Sequence, residues 1–162
     1  MSNFVGKYRG SVINNVDPMQ MGRLMVQVPD VSNTLPSTWA MPCDPFAGGQ
    51  SGMFAVPPVG SGVWIEFEQG NSDYPIWTGC FYGSSGDVPS PALAGAPGVQ
   101  QIVIQSANQN MLVLSDTPGP SGGILLQCSS GAKISINSTG ITLDNGQGAT
   151  ITLSSSMVSI NS

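Results

Sequence analysis

Charge is the scarcest property of this chain. Of 162 residues, four are Lys or Arg and nine are Asp or Glu, and histidine is absent. With no basic stripe and a formal net charge of −5, a phosphate backbone would be repelled, so no nucleic-acid partner is expected. The missing histidine, and the wide spacing of Cys43, Cys80 and Cys128, remove the usual metal-ligand sets, so neither metal nor cofactor is expected. No window holds a helical period, which leaves an all-β chain. From Val99 to Ser162 there is no aromatic residue, and beyond Pro91 only Asp116, Lys133 and Asp144 carry charge. A glycosidase needs paired carboxylates across a cleft, so no enzyme is expected. A β-helix that binds polysaccharide is the alternative function, and it would need aromatics along the solenoid that this chain lacks. No N-terminal run reads as a signal peptide and no segment is long enough to span a bilayer. Synthesis in the cytoplasm with reduced thiols is therefore expected, Cys43–Cys80 being the one disulfide to consider.

What the chain has in quantity is short aliphatic pairs in its last third. Ile102/Ile104, Leu112/Leu114, Ile124/Leu126, Ile134/Ile136, Ile141/Leu143, Ile151/Leu153 and Val158/Ile160 each sit at i and i+2, which directs both side chains to one face of a strand. The run from Gly131 to Ile136 recurs 17 residues later from Gly148 to Leu153, a period that marks a β-solenoid or β-prism. These aliphatics are worth roughly 1.5–3 kcal/mol each when buried, against on the order of 1–2 kcal/mol per ordered residue in backbone entropy. One chain offers no second layer to cover the strip. The strip is therefore expected to close on copies of itself, three chains giving a prism with a dry axis. Half of an ordinary β-sandwich is the competing architecture.

Upstream, the chain reads as a small barrel. A first strand runs to Ile13 with a bend expected at Gly10; Asn14 to Pro18 is turn chemistry. Gly22–Pro29 alternates with Leu24, Val26 and Val28 inward. Asp30–Pro45 reads as a loop and Met53–Pro58 as a short extended piece. Gly62–Glu68 puts Val63, Ile65 and Phe67 on one face, with Trp64, Glu66 and Glu68 on the other. Tyr74–Tyr82 is the last strand. Five strands in about 80 residues suit an OB-type barrel. The expected domains are 1–83 (barrel), 84–98 (a Gly/Pro/Ser linker) and 99–162 (strand repeats). Trp64 and Trp77 are candidates for packing at the barrel surface, or for stacking a base.

Two runs carry a family resemblance: Gly6 to Pro29 (GKYRGSVINNVDPMQMGRLMVQVP), and Trp39 to Gly83 with its Pro57-Pro58, Val63–Phe67 and Pro75–Gly79 elements. Together they resemble the OB domain of the central spike proteins of contractile tails. That family includes phage baseplate assembly protein V, the spikes of extracellular contractile injection systems and the VgrG proteins of type VI secretion. The resemblance implies an OB barrel followed by an intertwined triple-stranded β-helix, formed by a homotrimer and assembled into the baseplate of a virion or extracellular particle. It also implies docking on a hub protein and passage through a target cell envelope under sheath force. In this frame Lys7, Arg9, Arg23, Trp64 and Glu66 are candidate hub contacts, with Asp17 or Asp30 as alternative partners for the cations. Glu66 and Glu68 read as a solvated or hub-facing surface. The linker is too short to hold the lysozyme domain of some members, and there is no histidine for an iron-binding tip. Val158, Ile160, Asn161 and Ser162 are the candidate contacts for a separate PAAR-type tip protein.

Overall fold

The computed structural model describes residues 3–161, and Ser162, one of the candidate tip contacts, falls outside that range. The chain divides into two compact units, one up to Ser85 and one from Gly86.

The first unit contains β1 (Tyr8–Asn14), β2 (Met25–Gln27), a single helical turn α1 (Pro29–Ser32), β3 (Met41–Pro42), β4 (Ala47–Gly48), β5 (Ser51–Gly52), β6 (Gly62–Phe67) and β7 (Pro75–Phe81). Five of these form a sheet in the order β2-β1-β6-β7-β3. A reciprocal pair of backbone hydrogen bonds between Leu24 and Ala40, 2.7 and 3.1 Å, joins its two ends and closes the barrel. Period-two patterning works as the sequence suggests: Val63, Ile65 and Phe67 are buried with Val12, Leu24, Val26 and Val28. Four details differ. The fifth strand is Met41–Pro42, parallel to β7, within the stretch read as a loop. Met53–Pro58 forms no strand, because Pro57 and Pro58 have no N–H to give a ladder. Gly10 does not mark the irregularity of β1, which falls between Val12 and Asn14. Its role is close packing, since a Cβ there would meet Gln27 O and Ile65 Cγ1, both at 3.1 Å. Trp77 is a core residue, not a surface one, and its Nε1 donates to Gly22 O at 3.0 Å.

The second unit opens with 3₁₀ turns at Ser85–Asp87 and Ser90–Leu93. The second turn lies against β8. There the Gln101 amide donates to Pro91 O at 2.7 Å and accepts from Gly95 N at 2.8 Å. Seven strands follow: β8 (Gln101–Gln105), β9 (Met111–Ser115), β10 (Gly123–Gln127), β11 (Lys133–Asn137), β12 (Gly140–Asp144), β13 (Thr150–Ser154) and β14 (Met157–Asn161). Each pairs antiparallel with its neighbours in sequence, so spatial order and chain order coincide. The register stacks the aliphatics into two straight ladders. One runs Ile102, Leu114, Ile124, Ile136, Ile141, Leu153, Val158, and the other Ile104, Leu112, Leu126, Ile134, Leu143, Ile151, Ile160. The opposite face carries Val103, Val113 and Leu125, then Ser135, Thr142, Thr152 and Ser159 in one column.

Candidate assembly surfaces

In this sheet the apolar residues are the exposed ones. Along β10 to β13 the aliphatics of the two ladders are exposed, while the residues between them (Leu125, Ser135, Thr142 and Thr152) are half-buried on the opposite face. Within the two ladders exposure reaches from 36% at Ile141 to 74% at Ile160, with Leu112 alone more covered. Thirteen exposed aliphatics lined up in two adjacent ladders make a contiguous apolar face of the kind that marks an interaction surface. The face is concave. Ile104, Leu126, Ile134, Leu143 and Ile151 floor an open groove of ≈ 980 Å³. That is at the upper end for small-ligand sites, and the groove runs the height of the sheet, as a protein–protein surface would.

The barrel presents a second candidate surface. Lys7 Nζ meets Glu66 Oε1 at 2.8 Å and donates to Thr78 Oγ1 at 2.8 Å. The Arg9 guanidinium lies over the rings of Trp64, at 5.3 Å, and Phe81, at 5.1 Å, and those two rings pack at 5.0 Å. Gly62 makes room for this, since a Cβ there would stand 2.6 Å from the Phe81 ring. Four of the five residues singled out as hub contacts (Lys7, Arg9, Trp64, Glu66) therefore share one outer face of β1, β6 and β7. Trp64 faces outward and Trp77 inward, so the two cannot form a common stacking platform.

Arg23 lies elsewhere and has its own partner. Its Nη2 meets Asp17 Oδ1 at 2.6 Å and its Nε donates to both carboxylate oxygens. Asp17 also accepts from the backbone amides of Met19, Met21 and Arg23 at 2.9–3.2 Å, so one carboxylate organises the whole 17–23 loop. Its side chain is only 3% exposed. The guanidinium and these amides hold the Asp17 carboxyl well below the usual carboxylate range, and the same pairing raises Arg23. Arg23 also stacks over Trp39 at 5.4 Å. The sequence offered Asp17 as one of two acidic neighbours; it gave no sign that the same carboxylate caps three amides.

The three cysteines are free, and desolvation by its surroundings pushes the Cys80 thiol up, away from a reactive thiolate. Among the described residues no group of His, Cys, Asp and Glu could hold a metal ion, and no helix is long and apolar enough to cross a membrane.

Residues 8–82 match the family described as the type VI secretion system/phage-baseplate injector OB domain. Residues 101–162 match the phage baseplate V C-terminal trimerisation domain. The chain belongs to the phage baseplate V family. The two matches leave only residues 1–7 and 83–100 outside them. Both describe structural domains of a baseplate, and the second gives the seven-stranded unit of this baseplate V chain its role. That trimerisation match spans all seven strands of the unit whose aliphatic ladders are exposed.

Proposed function

We propose that this chain is the structural central spike of a contractile-tail or injection baseplate, a homotrimer that joins the tube's hub to the membrane-piercing tip and carries the thrust of contraction. The observation behind this reading is the pair of exposed aliphatic ladders on a sheet that matches a trimerisation domain. Each strand from β9 to β13 is paired on both sides by its own sequence neighbours, so no ladder position between β8 and β14 is vacant for another chain's strand. Each copy is then one uninterrupted wall of a prism, and three walls converge on a dry axis. This arrangement narrows the expected intertwining to the twist of whole walls about one another. Seven strands at about 4.8 Å give a prism roughly 30–35 Å long. Load along its axis is shared across every inter-strand ladder of three chains.

The hub-facing surface is the Lys7–Glu66–Arg9–Trp64 face of the barrel, where an aromatic and two cations are prearranged by their own contacts. The tip-facing surface is β14, exposed along all five residues, where Val158, Ile160 and Asn161 offer an apolar, uncharged platform to a PAAR-type protein. Light scattering on the full chain and on a truncation ending near Gly98 tests the core of this reading. A mass near three times 16.7 kDa that falls to one chain on truncation supports it. A monomeric full-length chain refutes it.

A further inference from the structure

The two long edges of the seven-stranded wall are built differently. Along one edge the chain turns through three five-residue loops, 106–110, 128–132 and 145–149. Each loop is closed at its base by a backbone hydrogen bond, Ser106 N to Asn110 O at 2.9 Å, Cys128 N to Ala132 O at 2.8 Å and Asn145 N to Ala149 O at 3.1 Å. The loops are also tied to one another. The Ser129 amide donates to Asn110 Oδ1 at 3.1 Å, and a Cβ on Gly146 would stand 2.8 Å from the Ala132 nitrogen. The edge is therefore one continuous ridge. Along the other edge the last two turns are Ser138-Thr139 and Ser155-Ser156, two residues each. The seven-residue turn above them is folded back along its own edge, Asn137 Nδ2 donating to Pro120 O at 3.1 Å.

The groove follows this asymmetry. Its rim is made by the base residues of the ridge loops, among them Ser106, Cys128, Ala132 and Ala149, and its floor by the Ile104-to-Ile160 ladder. The Ile102-to-Val158 ladder, beside the tight turns, contributes nothing to it. The concavity is thus off-centre, with a receiving side under the ridge and a second, convergent aliphatic ladder beside slim turns that let it approach a neighbour closely. A surface whose two halves differ in this way pairs unlike halves, and in an assembly of three copies the receiving side of each meets the entering side of the next. It is satisfied when every copy receives one neighbour and enters the other, all in the same rotational sense, which closes a ring.

We propose that the groove beneath the ridge of one chain receives the tight-turn edge of a second copy, and that three copies close head to tail through this single heterologous contact. This rests on the trimeric reading above and adds which edge meets which. The contact sets the ridge residues Cys128 and Ala149 of one chain beside the turn residues Ser138 and Ser155 of the next. Within one chain a five-residue strand keeps the two edges roughly 17 Å apart, beyond the reach of a disulfide.

Paired cysteines test the contact in the full-length chain. In a Cys43→Ser, Cys80→Ser background, Ser138→Cys combined with native Cys128 should give a covalent trimer as the main product of mild oxidation or of a short bismaleimide. With Cys128→Ser, or with Ser138 restored, each chain has a single site and the product should stop at dimer. A second pair, Ala149→Cys with Ser155→Cys in the Cys128→Ser background, repeats the test one step along the wall. A trimer by light scattering that gives no covalent trimer with either pair overturns the head-to-tail contact while leaving the trimer standing. A monomer by light scattering overturns both.

Discussion

Ile136 is the most informative single position for the shared core. It lies on β11, the fourth of seven strands, with Ile124 and Ile141 beside it in its ladder, far from either end of the wall. It remains 42% exposed in one chain. If full burial of an Ile side chain is worth ~1.5–3 kcal/mol, the 42% still to be covered is worth about 0.6–1.3 kcal/mol per chain. If three copies meet at one height, Ile136→Ala should weaken the trimer by about 2–4 kcal/mol. At about 1.4 kcal/mol per tenfold, that is a loss of roughly 30- to 700-fold in association. Sedimentation equilibrium over a concentration series reads this directly. Thr152→Ala is the matched control, since Thr152 is half-buried on the opposite face of β13, and it should leave the association unchanged. An Ile136→Ala protein that dissociates no more readily than wild type, or one matched by Thr152→Ala, would refute the convergence of the aliphatic faces.

Three further outcomes follow from the same structure. Asp17→Asn should lower barrel stability at neutral pH and flatten its acid dependence. The wild-type carboxyl titrates far below its ordinary value, so its contribution is complete above about pH 4 and fades as pH falls further, which acid unfolding monitored by tryptophan fluorescence would show. Trp77→Phe should cost about 2–3 kcal/mol in denaturant unfolding, because it leaves a void in the barrel and strands the Gly22 carbonyl that the indole N–H now satisfies. The seven strands carry only Lys133 and Asp144 as charges, and those two face each other at 3.7 Å. Trimer mass should therefore stay constant from about 0.05 to 1 M salt; dissociation at high salt would point to an interface held by ion pairs instead.

Period-two patterning made most of this molecule legible before its structure. The i, i+2 aliphatics placed all seven strands of the wall, and the observed register lines them up because each hairpin joins neighbours in sequence. The barrel was harder for a physical reason. Its closure depends on Leu24 meeting Ala40 and on two residues, Met41 and Pro42, lying parallel to β7; a two-residue strand has no periodicity to read. Pro57-Pro58 misdirected the count, since an extended conformation resembles a strand until the missing N–H groups are considered. Trp77 was ambiguous because its pocket is created by a glycine carbonyl 55 residues away. Four of the five candidate hub residues came together on one face, whereas Arg23 is paired with its local neighbour Asp17. The asymmetry of the wall's two edges was present in the loop lengths, yet its meaning depends on the contacts that knit the loops into a ridge.

The consecutive hairpins of the wall also bear on how the molecule is made. Every strand pairing in the wall is local, so each hairpin can form on the order of microseconds, without waiting for distant parts of the chain. The barrel is the opposite case: β1 must find β6, with Tyr8 opposite Ile65, so its closure is slower and more exposed to error. The barrel precedes the wall in the chain and leaves the ribosome first. The slow, self-contained unit thus gains a head start, and the quick-forming adhesive surface emerges only afterwards. Three nascent chains are in this way kept from sticking together before each has a folded domain of its own.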